Sequence, residues 1–398
     1  MSKLRLLISF LCLTVSICCF SRSKTTTDTL LINFLGNQYD LVLEKNNIKK
    51  TLQNLNETKL STDSLSDTLL LPAIKKIQNL KIELKLADWL VYQLIRRIAE
   101  QINSKYEDYS QYTLTKYALL SGTGFEPLIY TSNEKILLYV KSTDTVYNLP
   151  NKIINGSQYV CLNYHDYKFQ INFQTEKFYR KFEHLTKKGK DFNYHIDYLA
   201  SFQRESYSEK TITFNYKQKI EKYNVLVNTE MQDYFTNYPV TEYRYQFNIP
   251  FSEVTYNTLI PQLKSRIMNL SVNEGIEYIM LFVRDGFEFE TDTKLFGREK
   301  RLSAEETLIS SSSDCEDRSA LFFSLVKEIY NLPMAIISYP NHVNVAVQLP
   351  KPKGLGININ GKVFTICEPT PQKIKHGIGW MSKKQRKESY EIAYLYQK

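Results

Sequence analysis

Three residues in the last third of the chain have the types, order and settings needed for nucleophilic catalysis: Cys315, His342 and Glu368. Cys315 lies in the run Ser313-Asp314-Cys315-Glu316-Asp317-Arg318, after which Ala320, Leu321, Leu325, Val326 and Ile329 recur on one helical face. Ser313 and Glu316 have the spacing of a capping box, which would start the helix there and put Cys315 in its first turn. Unpaired backbone N–H groups and the positive end of the helix dipole favour a thiolate at such a place, so this environment is expected to lower the Cys315 pKa. Asn331-Leu332-Pro333 stops the helix. Two apolar runs, Met334–Ser338 and His342–Leu349, read as strands joined by Tyr339-Pro340-Asn341, and a third, Lys362–Cys367, leads into Glu368-Pro369-Thr370-Pro371. Neighbouring strands lie about 4.8 Å apart, so strand ends can hold His342 and Glu368 within hydrogen-bond reach. A helix packed on that sheet can then set Cys315 against the imidazole, which is the nucleophile, base and orienting carboxylate of a triad. Asn341 and Asn344 are alternative orienters for His342, and the Cys315 backbone N–H is one candidate oxyanion donor.

As a set, these residues resemble the transglutaminase-like (papain-like cysteine) superfamily. The resemblance rests on the Cys315 stretch, Asn331-Leu332-Pro333, His342 and Glu368-Pro369-Thr370, and covers about residues 270–380. It implies a papain-like core and a thioester on Cys315. His342 would be the base and Glu368 its orienter, acting on amide or peptide bonds by hydrolysis or transamidation. Two positions depart from the family's pattern. Glu368 stands where Asp is usual, and Ser311-Ser312-Ser313 where Gly is often found. Phe364–Thr370 and Phe296–Lys300 are also similar to stretches of exported proteins of Bacteroidota-type bacteria. The rival reading is a catalytically weak or inactive envelope scaffold that binds peptide or glycan.

The rest of the chain constrains where this chemistry would operate. Lys3 and Arg5 precede an apolar stretch, Leu6 to Phe20, too short to span a bilayer and followed by small residues. Residues 1–21 therefore read as a secretory signal peptide, with periplasm, cell surface or extracellular medium as destination. The residues before Cys18 and Cys19 make a poor lipobox, so lipid anchoring is the lesser alternative. The chain after the signal keeps Cys161, Cys315 and Cys367, an odd number for an oxidising compartment, which leaves a thiol to be reactive. Cys161 and Cys367 read as core, and His376 as a loop residue without a partner. The +9 net charge, from 51 Lys and Arg against 42 Asp and Glu, shows no basic run interleaved with aromatics, so no nucleic-acid partner is expected. No later stretch reads as a transmembrane helix. No Cys/His cluster has metal-ligand spacing, so neither metal nor organic cofactor is expected. The expected partner is a protein or peptide substrate, cell-envelope material included.

The fold class read from these patterns is α+β in three parts after the signal. Residues 22–163 form an N-terminal α+β region, 164–250 a small antiparallel β domain, and 251–398 the cysteine domain. In the first part, Thr25 to about Asp67 carries weak helical signals, and a strong helix follows near Ala87–Ile102. In the second, Ile212, Phe214 and Tyr216 alternate with polar residues, as do Tyr223, Val225 and Val227, with Lys217–Lys222 as the turn. Tyr243, Tyr245 and Phe247 alternate again. In the third, Ser271 and Glu274 have capping-box spacing. The first part also reads as a degenerate copy of the third. Phe125-Glu126-Pro127 resembles Leu332-Pro333-Met334, and Gly156–Asn163 resembles Gly361–Glu368. Asp108, Lys135 and Asn163 would then stand where Cys315, His342 and Glu368 do, with Asp108 and Lys135 as an ion pair.

Overall fold

The computed structural model describes residues 27–54, 69–133, 135–168, 170–181, 189–372 and 376–397. The signal read at residues 1–21 lies outside these. The fold is mixed α+β, as its patterning indicates.

The first half opens with a hairpin, Asp28–Phe34 (β1) and Asn37–Leu43 (β2), where weak helical signals stood. Leu30, Ile32 and Phe34 alternate inward opposite Leu41 and Leu43. The turn needs positive φ at both Leu35 (53°) and Gly36 (74°). Leu35 accepts that conformation inside the core, where its N–H donates to Tyr234 Oη at 2.6 Å. Among the described residues four helices follow: Lys45–Asn54 (α1), Leu71–Glu83 (α2), Asp88–Ile102 (α3) and Tyr109–Gly122 (α4). The predicted helix at 87–102 is α3, buried along Trp89, Leu90, Leu94, Ile95 and Ile98. Pro127–Ser132 (β3), Lys135–Lys141 (β4), Asn151–Ile154 (β5), Ser157–Cys161 (β6) and Tyr179–Arg180 (β7) make a five-stranded sheet in the order β5-β6-β4-β3-β7.

Among the described residues, the region read as a separate β domain holds β7, which belongs to the first sheet, and then a hairpin and two short helices. Tyr207–Tyr216 (β8) and Lys219–Asn228 (β9) pair along their whole length around a two-residue turn, Lys217-Gln218. Their inward residues Ile212, Phe214, Tyr223, Val225 and Val227 join the core of the C-terminal half rather than a core of their own. The segments Met231–Phe235 (α5) and Tyr243–Gln246 (α6) are helical. The Tyr243, Tyr245, Phe247 alternation is thus not a strand. Three buried aromatics within one turn and a half mimic period two, and the motif is too short to separate the two periods.

Glu253–Ile267 (α7) and Val272–Asp285 (α8) follow, the latter started by the predicted Ser271–Glu274 capping box. Then come Glu288–Phe289 (β10), Asp292–Phe296 (α9), Ala304–Ile309 (α10), Ser312–Ser313 (β11) and the long helix Cys315–Tyr330 (α11). The C-terminal sheet is built from Met334–Tyr339 (β12), His342–Val347 (β13), Gly356–Ile359 (β14), Lys362–Cys367 (β15) and Glu391–Tyr396 (β16), in the order β14-β15-β13-β12-β16.

The two sheets share strand order and register. Pro127 faces Val140 as Met334 faces Val347, and Tyr139 faces Cys161 as Ala346 faces Ile366. Asn151 faces Val160 as Gly356 faces Thr365. Matching hairpins turn at Asn155-Gly156 and Asn360-Gly361, all four residues at positive φ, the chemistry a tight two-residue turn demands. In each half a helix ends just before the first strand of its sheet.

Arg318 joins these elements at the centre of the C-terminal half. Its fully buried guanidinium donates to the carbonyl oxygens of Val283 (3.0 Å), Arg284 (2.9 Å), Phe287 (2.8 Å) and Ser313 (3.3 Å). Burial holds its pKa down to about 10, which leaves it charged at neutral pH. Replacing it by an apolar side chain strands four carbonyls away from water. Arg318→Met should therefore lower stability by about 3–5 kcal/mol in urea unfolding, and a loss below about 1 kcal/mol would show that those carbonyls find other donors.

Candidate active site

Cys315 is the first residue of α11, and the helix start lies one residue beyond the predicted box. Asp314, not Ser313, is the N-cap. Its Oδ1 accepts from the N–H groups of Glu316 (2.9 Å) and Asp317 (3.1 Å), and Asp317, not Glu316, closes the box. A carboxylate acceptor serves that geometry as well as a hydroxyl, so the Ser-x-x-Glu and Asp-x-x-Asp frames compete in sequence. Glu316 is freed for other partners, Tyr243 Oη at 2.6 Å and Arg301 Nε at 2.8 Å.

The sheet receives this helix end at Val343. Strand β15 pairs with β13 only from Val345 onward, so the start of β13 is left open on that side. The Val343 N–H is directed at the Cys315 thiol, and its carbonyl accepts from Ser319 Oγ at 3.2 Å. The start of α11 is thereby tied to the residue that follows His342.

His342 opens β13, and its Nε2 lies 2.6 Å from Glu368 Oε2. That contact leaves Nδ1 as the second ring nitrogen. Glu368 follows the end of β15 and is 4% exposed, with Oε1 accepting from the Thr370 N–H at 3.0 Å and Oε2 from Gln385 Nε2 at 3.3 Å. The carboxylate therefore partners His342, and neither Asn341 nor Asn344 takes that place. Asn344 is buried on β13. Gln385 lies far along the chain from the other members, and sequence reasoning passed over it.

Electrostatics depart from expectation at the sulfur. Burial pushes the Cys315 thiol well above its ordinary range, and the neighbouring Asp314 carboxylate adds to the effect. The Val343 N–H works the other way, and Glu316 and Glu368 raise it again. Helix-end stabilisation of a thiolate is thus outweighed by burial among carboxylates, and the resting sulfur carries its proton. Cys161 and Cys367 are fully buried, as expected, with burial raising Cys161 to about 12 and Cys367 higher. His376 does have a partner, for its ring stacks on Trp380 with centroids 3.4 Å apart.

One acidic group was not foreseen as a set. Asp292, Asp314 and Asp317 each bring an oxygen within 4.8 Å of the others, from the starts of α9 and α11. Such an all-oxygen set could hold a hard divalent cation, or it can share protons. Asp292 reaches the site only through the fold, so no local spacing of ligand residues announces the set. Burial and then Asp314 raise Asp292 to about 7. Burial, opposed by N–H donors from its own helix and assisted by Glu316, raises Asp314 to about 6.

The first half holds different chemistry at the matching places. Asp108 is the N-cap of α4, so it matches Asp314, and Tyr109 stands first in the helix where Cys315 does. The expected Asp108–Lys135 ion pair is not formed. Asp108 accepts from the Gln111 N–H at 2.9 Å, and Lys135 pairs with Glu176. Asn163, at the Glu368 place, donates to Tyr109 Oη at 2.7 Å, and that hydroxyl donates to Asp166 at 2.7 Å.

Comparisons with family models, with curated proteins and with solved structures find no match to this chain. Among the described residues no helix is long and apolar enough to cross a membrane.

Two measurements follow from this geometry. Cys315 is the partly exposed thiol of the three, so in the native protein iodoacetamide should modify it first, with the rate rising with pH and falling in His342→Ala. Faster labelling of Cys161 or Cys367 would displace it as the reactive residue. The carboxylate cluster sets a pH trend. Asp292 and Asp314 ionise near 7 and 6 when folded, but near 4 when unfolded. Between those values the folded chain keeps protons that the unfolded chain has lost, so their contribution to stability is complete below about pH 4 and is lost as pH rises towards about 7. Asp292→Asn should flatten that decline in thermal melts, and an unchanged slope would count against proton sharing.

Proposed function

We propose that residues 251–398 form a transglutaminase-like cysteine domain of papain-like plan, carried on an exported chain and acting on amide or peptide bonds of a protein or peptide substrate. The observation that carries this reading is the 2.6 Å contact between His342 Nε2 and Glu368 Oε2, made next to a thiol that meets the adjoining residue, Val343. Export rests on Lys3, Arg5 and the apolar run that follows them.

The chemistry runs through this chain's own groups. Glu368 holds His342 by Nε2, so Nδ1 offers its lone pair to the Cys315 proton. The sulfur's electron pair forms a bond to the substrate carbonyl carbon as that proton moves, and the carbonyl oxygen takes the negative charge. The Cys315 N–H is a donor available to that oxygen. Collapse breaks the C–N bond, and the departing amine leaves with the proton from His342. Water or a second amine, deprotonated by His342, then attacks the thioester and restores the thiol. A thiol that is protonated at rest suits this route, because proton transfer and attack are then coupled.

A second reading is favoured by the first half. Tyr109, Lys135 and Asn163 supply neither nucleophile nor base at the matching places. A chain of this kind would serve as an envelope scaffold for peptide or glycan, with little or no turnover.

Incubation of the processed protein with a protein digest and a fluorescent primary amine separates the two, since it reports hydrolysis by mass and transamidation by fluorescence. Turnover should vanish in Cys315→Ser and His342→Ala, and fall about 10- to 100-fold in Glu368→Gln, which weakens orientation of the base without removing it. Turnover by Cys315→Ser would exclude the cysteine mechanism. A wild-type protein that alkylates at Cys315 yet yields no product would favour the scaffold.

A further inference from the structure

A glutamate has one more rotatable bond than an aspartate, so a Glu that orients a histidine needs more fixing than an Asp in the same place. Glu368 is fixed at both oxygens. Thr370, two residues on, holds Oε1 through its N–H. Oε2 is shared by His342 at 2.6 Å and by Gln385 Nε2 at 3.3 Å. Gln385 comes from the short 3-10 turn Gln385–Lys387, beyond the last strand residue of β15 and before β16.

The Gln385 side chain is itself immobilised. Its backbone N–H donates to Ser382 Oγ at 3.2 Å, and its Oε1 accepts from the Ser382 N–H at 3.3 Å. This is the reciprocal Ser-x-x-Gln pattern of a capping box, built here on Ser382-Lys383-Lys384-Gln385. With Oε1 engaged by a donor, the amide presents Nε2 to Glu368. Gln385 is 9% exposed, so water offers the carboxylate little alternative.

We propose that Gln385 is a positioning residue for the Cys315–His342–Glu368 site, holding the Glu368 carboxylate in place with its Oε2 turned to His342. This rests on the enzymatic reading above. An amide is suited to the task. It donates to the anion and so favours the charged carboxylate, yet it brings no positive charge to disfavour the imidazolium that forms during the reaction. The titratable groups that face Glu368 are His342, Cys315, Tyr339 and Cys367.

The test uses the rate of Cys315 alkylation by iodoacetamide between pH 4 and 8, which needs no knowledge of the substrate, together with kcat and KM once a substrate is in hand. Gln385→Leu removes the donor at similar volume. Gln385→Glu keeps an oxygen for the Ser382 N–H and sets a second carboxylate against Glu368. The expected result is an acid limb moved to higher pH by about half a unit to one unit in Gln385→Leu and further in Gln385→Glu. With substrate, kcat should fall about 5- to 20-fold with KM little changed. Gln385→Glu guards against a simple folding loss, since it preserves the turn. An unmoved acid limb in both variants, with Glu368→Gln moving it, would overturn the role of Gln385 alone. An unmoved limb in Glu368→Gln as well would overturn the triad on which the proposal rests.

Discussion

The placement of the first turn of α11, and so of Cys315, depends on one buried guanidinium. A helix ends with carbonyl groups that have no partner in the helix, and a buried end must find donors for them. Arg318 supplies them to Val283 and Arg284 at the end of α8, to Phe287 beyond it, and to Ser313 just ahead of the Asp314 cap. The planar fork reaches several acceptors from one side chain, which an ammonium cannot do in the same geometry. The end of one helix and the start of another are thereby locked together, and the height of Cys315 above β13 follows from that lock. Asp317, beside Arg318 in sequence, holds the Leu302 N–H at 2.7 Å. The first turn of α11 is thus anchored on both sides before His342 is considered.

That anchoring has an electrostatic cost. Capping the helix with Asp314 places a carboxylate next to the sulfur, and Glu316 and Glu368 add two more. Burial then acts on the thiol in the same direction as these charges. A helix terminus alone would have favoured the thiolate, so local and surrounding fields oppose one another here, and the surroundings prevail. The tie between Glu316, Arg301 and Tyr243 relieves part of the crowding. Arg301 lies against Glu316 and over the Tyr243 ring, 4.1 Å from its centre.

The two halves show how little a fold says about chemistry. Their sheets agree in strand order, register and even in the Asn-Gly turns. In the first half a tyrosine begins the helix, and its hydroxyl fills the space with a closed network through Asn163 and Asp166. In the second half a smaller side chain stands there and a histidine opens the adjoining strand. The same backbone frame therefore holds a satisfied polar plug in one place and a candidate nucleophile in the other.

The sequence alone determined the elements with strong periodicity and the residues with distinctive chemistry. Helix α3, the hairpin of β8 and β9, the Ser271 box, the helix after Cys315 and the strands at His342 and Lys362 were all legible, because long patterns separate period two from period 3.6. The sequence brought His342 and Glu368 within reach as adjacent strand ends, but left Asn341 and Asn344 as rival orienters, and the structure supplies the contact with Glu368. Shorter signals were not decisive. The β1–β2 hairpin was hidden because its turn uses Leu35 at positive φ, an ordinary residue held there by Tyr234 from a distant helix. Tyr243–Gln246 is helical because its aromatics find a core on one side, which no window of five residues reveals. Only the tertiary structure decided that the cap is Asp314, that Asp292 joins it, and that Gln385 reaches Glu368. The cap is a local choice between two frames that the sequence offers equally, whereas the other two are contacts between separate segments, and local pattern carries no information about which distant groups a fold will bring together.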